Sequence, residues 1–147
     1  MTVFSLALAL AVPGVAAARL PAVLTEHNPA FQIRPATIDY TGDGSAVVGG
    51  LNGTGPRHLG RLRWATYNAR QGAATGLLWI NDCTPDCADG RFSSVRVNVH
   101  VFSPHSGHFR RLTLSYTYRG RHYVDRREIH LYRTPGARIW GYQLTSA

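Results

Sequence analysis

Apolar and polar residues alternate with a period of two through much of this chain. In VRVNVHV, residues 95–101, the four valines share one phase while Arg96, Asn98 and His100 take the other. That is the pattern of a strand with one buried face. Residues 112–118, LTLSYTY, repeat it with aromatic ends. Between these runs, Ser103-Pro104-His105-Ser106-Gly107-His108 has the length and composition of a hairpin loop. Upstream, Ala36–Tyr40 leads through Thr41-Gly42-Asp43-Gly44-Ser45 into Ala46-Val47-Val48, and Asp-Gly between apolar runs is a strong hairpin signal. Further strands are expected over 62–66, 74–80, 92–103, 109–119 and 122–133, with a last one near 138–144. Glycine-rich breaks at 49–60 and 70–76 count against helix. The expectation is an all-β fold of about eight strands, either an antiparallel β-sandwich or a small closed β-barrel. Residues 19–35 carry Pro21, Pro29 and Pro35 and read as an extended lead-in to a single β domain over 36–147.

The first 18 residues break this alternation. An apolar block, in which Ser5 is the sole polar side chain between Val3 and Val12, runs into Pro13-Gly14 and then Ala16-Ala17-Ala18. Small residues at the end of such a block fit the signal-peptidase rule, with cleavage before Arg19. The block is too short to cross a bilayer, which takes roughly 20 residues of helix. No Lys or Arg precedes it, so either the true start lies further upstream or the terminal amine alone supplies the positive charge there. The chain therefore reads as secreted, either extracellular or cell-wall associated. Two cysteines in an exported chain are expected to be oxidised together. Cys83 and Cys87 enclose Thr84-Pro85-Asp86, a ring worth about 2 kcal/mol by loop entropy and able to staple one turn. Within that turn Asn81, Asp82 and Asp86 are expected to accept backbone N–H bonds, and Gly90 to leave it with positive φ.

Length and charge narrow the picture further. The 147 residues make one domain, with 44% hydrophobic and 16% charged residues, which excludes a coiled coil, a collagen repeat and a charged disordered tail. All 16 basic residues are Arg against 8 acidic ones, giving a net charge of +8, and none of the charged side chains lies in residues 1–18. Arg96, Arg111 and Arg119 take the outward phase of their strands, and Arg121, Arg126, Arg127 and Arg133 follow closely. Arg presents a planar fork that suits carboxylate and phosphate, so these seven are the candidate anion-binding residues. Tyr116, Tyr118, Tyr123 and Tyr132 are interleaved with them. Nothing beyond net charge indicates nucleic acid.

Catalytic chemistry is less well served. Thioredoxin-like redox sites use C-x-x-C at a helix start, where the thiol pKa falls. Cys83 and Cys87 are C-x3-C between strands, beside Asp82, Asp86 and Asp89. Those three carboxylates could face Ca²⁺, but the EF-hand pattern is absent. His100, His105 and His108 lie on or beside one hairpin and could hold Zn²⁺ or Cu²⁺ if brought together. Asp39, Asp43, Asp125 and Glu128 could supply a hydrolytic pair, although no spacing selects two of them. No G-x-S-x-G elbow occurs. Asn52-Gly53-Thr54 matches a glycosylation sequon and reads equally well as a turn. No cofactor is expected.

One segment has a recognisable identity. Asn81-Asp82-Cys83-Thr84-Pro85-Asp86-Cys87-Ala88-Asp89-Gly90, preceded by Gly42-Asp43-Gly44-Ser45 and by Leu62-Arg63-Trp64, resembles small secreted actinobacterial proteins of unknown function that carry an N-D-C-x-P-x-C-A-x-G loop. The resemblance covers roughly residues 35–120 and implies secretion and a β-rich domain. It names no activity. The chain departs from the pattern at Trp64-Ala65-Thr66-Tyr67-Asn68, where relatives often have W-x-x-W-G, and at Ser106, where many have a further Cys. The functional expectation is a non-enzymatic binding or envelope-associated protein that contacts anionic cell-wall or extracellular polymers through its Arg-rich strands. The alternative is a small secreted hydrolase using carboxylates or a His-bound metal.

Overall fold

The structure, a computed structural model, describes residues 19–26, 30–50, 60–134 and 136–144. The expected leader 1–18 and the sequon at 52–54 lie outside the described residues. Ten strands follow in order: β1 (Val23–Glu26), β2 (Ala30–Gln32), β3 (Ile38–Asp39), β4 (Ala46–Val48), β5 (Arg63–Tyr67), β6 (Gln71–Asn81), β7 (Phe92–His105), β8 (His108–Tyr118), β9 (Arg121–Thr134) and β10 (Ala137–Leu144). There is no helix among the described residues. The all-β expectation holds.

Eight strands form one antiparallel sheet in the spatial order β10-β9-β8-β7-β6-β4-β3, with β5 also paired to β6. β4 bonds to Leu78–Ile80 and β5 to Gly72–Thr75, so the two share one edge of the long strand β6. Between them, the Leu77 N–H donates to the Gly60 carbonyl at 3.0 Å, and the Leu77 carbonyl accepts from the Gly49 N–H at 2.8 Å. The sheet curls into a half-barrel, an arrangement between the sandwich and the closed barrel.

Tight turns keep the long strands in register. Ser106-Gly107 joins β7 to β8 with φ of 50° and 82°, and Arg119-Gly120 joins β8 to β9 with φ of 49° and 75°. Two successive positive φ values match the twist of the flanking strands, as in type I′ turns. The first turn is tighter than the six-residue loop expected from 103–108, because pairing continues to His105↔His108.

The inward phase builds the core. Val97, Val99, Val101, Leu112 and Leu114 are buried, and they pack with Ile38, Val48, Leu78 and Ile129. Residues 19–35, expected as an extended lead-in, contain the β1–β2 hairpin. Val23 and Leu24 from that hairpin join the same core. β1 touches β8 and also β3 and β10, the two ends of the sheet. It therefore bridges the mouth of the half-barrel. Buried tyrosines fasten it there: the Tyr142 hydroxyl donates to the Leu24 carbonyl at 2.8 Å and the Tyr67 hydroxyl to the Pro21 carbonyl at 2.7 Å. Burial pushes the phenol pKa of Tyr142 well above its ordinary value, so its proton stays available for that bond.

Candidate anion-binding face

Directly opposed residues of an antiparallel pair share a face, so strand register sorts the candidate arginines. Arg96 lies opposite Leu77, Arg111 opposite Phe102 and Glu128, and Arg126 opposite Thr113. All three take the outer face, away from the valine and leucine core. Arg127 lies opposite Leu112, and Asp125 opposite Leu114, both in the core-side phase. There the Arg127 guanidinium meets the Asp125 carboxylate at 3.1 Å, with both side chains largely buried. It also lies 5.0 Å from the Tyr40 ring centroid. Arg127 is thus committed to packing. Burial raises the Tyr40 phenol pKa above its usual value, and the Asp125 charge adds to the rise.

The remaining candidates are scattered. Arg119 occupies a turn, its guanidinium 5.1 Å from the Tyr118 ring centroid. Arg121 follows that turn opposite Tyr118, in the core-side phase at the turn end of the hairpin. Arg133 lies in β9 with Arg138 as its backbone partner. The seven residues do not form one face.

A different grouping does converge. A groove of about 780 Å³ on the outer face is lined by Arg61, Arg63 and Arg96, with Thr75, Asn98 and Ser115 among its polar residues. The register explains the alignment, because Arg63↔Thr75, Thr75↔Asn98 and Asn98↔Ser115 are successive cross-strand partners on β5, β6, β7 and β8. At about 4.8 Å per strand, this polar row runs roughly 14 Å across the sheet. One step further along the strands lie Leu77, Arg96, Thr117 and His122. The His122 Nε2 stands 3.4 Å from the Ser115 Oγ. No carboxylate lines the groove, and Arg61, Arg63 and Arg96 make no salt bridge among the described residues. The outer face around Arg111 differs, because Glu128 lies opposite it and also contacts Arg110 at 3.5 Å.

Gly60 shapes one wall of the groove. It has φ +103°, and a Cβ there would meet the Leu77 side chain at 2.6 Å. Only glycine allows the 60–62 segment to lie this close to β6 while carrying Arg61 to the rim.

The other candidates resolve into structural roles. Cys83 and Cys87 form the expected disulfide. Asn81 Oδ1 accepts from the Cys83 N–H at 3.0 Å, and its Nδ2 donates to the Cys87 carbonyl at 2.7 Å. Asp82 accepts from Thr84 and Arg91, and Asp86 from Ala88 and Asp89. These backbone bonds hold the Asp82 carboxyl below its ordinary pKa. Gly90 does not have the positive φ expected of it. Its role is clearance, since a Cβ there would collide with Asn81 Oδ1.

The histidines are spread out. His100 pairs with Gln71 at 3.1 Å, His105 is exposed beside the turn, and His108 is buried against Phe31. Burial lowers the His108 pKa below its ordinary value. Among the described residues no group of three or more His, Cys, Asp or Glu side chains is placed to hold a metal ion. The carboxylates do not converge either: Asp39 and Asp43 accept backbone N–H bonds in their own turn, while Asp125 and Glu128 lie in opposite phases of β9.

The groove residues Arg61, Arg63, Thr75, Ser115, Thr117 and His122 were not among the candidates from sequence. The outward phase of Arg63 is visible in Leu62-Arg63-Trp64, but its neighbours depend on the pairing of β5, β6 and β7. No protein-family model, curated protein or solved structure matches the chain.

Proposed function

We propose that this protein is an exported, non-enzymatic binding domain that associates with anionic envelope or extracellular material through the groove on its outer face. The observation that carries the reading is the convergence of three guanidinium groups, unpaired among the described residues, in a recess where no described carboxylate lies. Like-signed charges in a concave surface concentrate the field and draw oppositely charged partners to it, and each Arg fork matches a carboxylate or phosphate. Export is supported by the apolar leader pattern, by the Cys83–Cys87 disulfide, and by the loop resemblance to small secreted actinobacterial proteins. Among the described residues no helix is long and apolar enough to cross a membrane. No observation favours the hydrolase alternative.

The test is retention of the purified protein on isolated cell wall across a salt series. Exposed charges are screened over a Debye length of about 10 Å at 0.1 M, so retention is expected to fall as salt rises. The Arg63→Glu, Arg96→Glu double variant should lose retention even at low salt. Arg70→Glu with Arg91→Glu, which changes net charge equally at exposed sites outside the groove lining, should retain most of it. Equal loss in both variants would reduce the groove to bulk charge. Retention unaffected by salt would overturn the reading.

A further inference from the structure

We propose that the occupant of this groove is an acidic polysaccharide chain, held by its acid groups on the arginines and by its hydroxyls on the row Thr75–Asn98–Ser115. The inference rests on the anion-binding reading and names its ligand class.

Uncharged polar groups accompany the charges. A site for a small anion needs only the guanidinium groups. Here Arg63 and Arg96 belong to adjacent cross-strand rows, and uncharged hydroxyl and amide groups continue from Arg63 across three further strands. Thr and Ser hydroxyls both donate and accept, and the Asn amide does so at separate atoms. Sugar hydroxyls have the same dual capacity, so such a row can pair with them whichever way each O–H turns. The spacing of about 4.8 Å between strands presents one such group for each pyranose ring of an extended chain crossing the sheet. Leu77 and Gly76 complete the floor, an apolar surface suited to the C–H faces of the rings.

The same features disfavour nucleic acid. Sequence-independent binding of single strands uses exposed aromatic rings on which bases stack. Among the described residues the one aromatic carbocycle lining the groove is Tyr116, in the core-side phase with its ring stacked on Tyr123 at 5.4 Å. Duplex DNA is entered by a helix or a ribbon that projects into its groove, whereas this surface is recessed within a sheet.

The experiment measures binding of the full protein to polygalacturonate, polyacrylate and an oligothymidylate at matched charge concentration, and to neutral dextran at the sugar concentration of the polygalacturonate. Dextran is expected to bind more weakly than polygalacturonate, and equal binding would overturn the inference. Polyacrylate has carboxylates without sugar rings. Polygalacturonate is expected to bind about tenfold more tightly than polyacrylate, as the gain of two or three hydrogen bonds implies. The uncharged variant Thr75→Ala, Asn98→Ala, Ser115→Ala should bring polygalacturonate down to the polyacrylate level and leave polyacrylate binding unchanged. Equal binding of both polymers by the native protein would overturn the polysaccharide inference and leave the anion-binding reading standing. Failure of both polymers to bind would remove both. Tighter binding of the oligothymidylate than of polygalacturonate would make the partner a nucleic acid and overturn the inference. The comparison among probes is made on the native protein, so it decides the matter even if the triple variant does not fold.

Discussion

Adjacent arginines in β9 do opposite jobs. Arg126 belongs to the outer face, while Arg127 turns inward onto Asp125 and Tyr40. Removing one member of a largely buried pair leaves the other charge desolvated, which costs about 3 kcal/mol or more. Arg127→Ala is therefore expected to lower the midpoint of thermal or urea unfolding markedly. Arg96→Ala, at an exposed groove position, should stay within about 0.5 kcal/mol of the native protein. Equilibrium urea melts of the two variants check this contrast, and an equal small effect would remove Arg127 from the core-side network. Period-two alternation by itself requires Arg126 and Arg127 to point apart, so this much was readable from the chain. Grouping them by proximity along the sequence obscured it.

The Cys83–Cys87 loop shows how a short element distributes its stability. The disulfide closes a small ring, so replacing both cysteines by serine should cost about 2 kcal/mol and leave the β fold intact. Asn81 ties the same loop at two points, to the Cys83 N–H and the Cys87 carbonyl, and is itself nearly buried. Leaving such backbone groups without a partner costs about 1–3 kcal/mol, so Asn81→Ala should match or exceed the double cysteine variant. Thermal melts of both, with far-UV circular dichroism to confirm strand content, provide the check. The loop's polar caps were legible because Asn and Asp bond their own neighbourhood. The task of Gly90 was not, because the clash it avoids involves a side chain nine residues earlier.

At the scale of the whole molecule, legibility followed the range of the interactions. The eight strands of the main sheet and the inward phases of 95–101 and 112–118 could be read, since a two-residue period is local information. The place of residues 19–35 could not. Their prolines suggest an extended lead-in, and the burial of Val23 and Leu24 depends on strands far along the chain. The groove was hidden for the same reason, because β5, β6 and β7 must pair before Arg63, Thr75 and Asn98 align. The clearest global prediction lies at Leu24, which is completely buried. Leu24→Ala should destabilise the protein by about 2–5 kcal/mol, the range for truncating a core leucine, and denaturant unfolding measures it. A loss under 1 kcal/mol would mean that the β1–β2 hairpin is an accessory to the core.

The bond from Tyr142 to Leu24 joins residues 118 positions apart, which sets an order of events. A chain delivered amino end first presents its bridging strand at the outset and the strand that secures it at the end. Every hairpin from β6 to β10 can form from neighbours in sequence, while closure of the mouth waits for the carboxyl-terminal strand. Pairings of such long range make folding slow, in the millisecond-to-second regime of β-rich domains. Under the export proposed above, with the chain crossing a membrane unfolded, that delay would be an advantage. In that case the first and last strands would meet only once both had reached the far side.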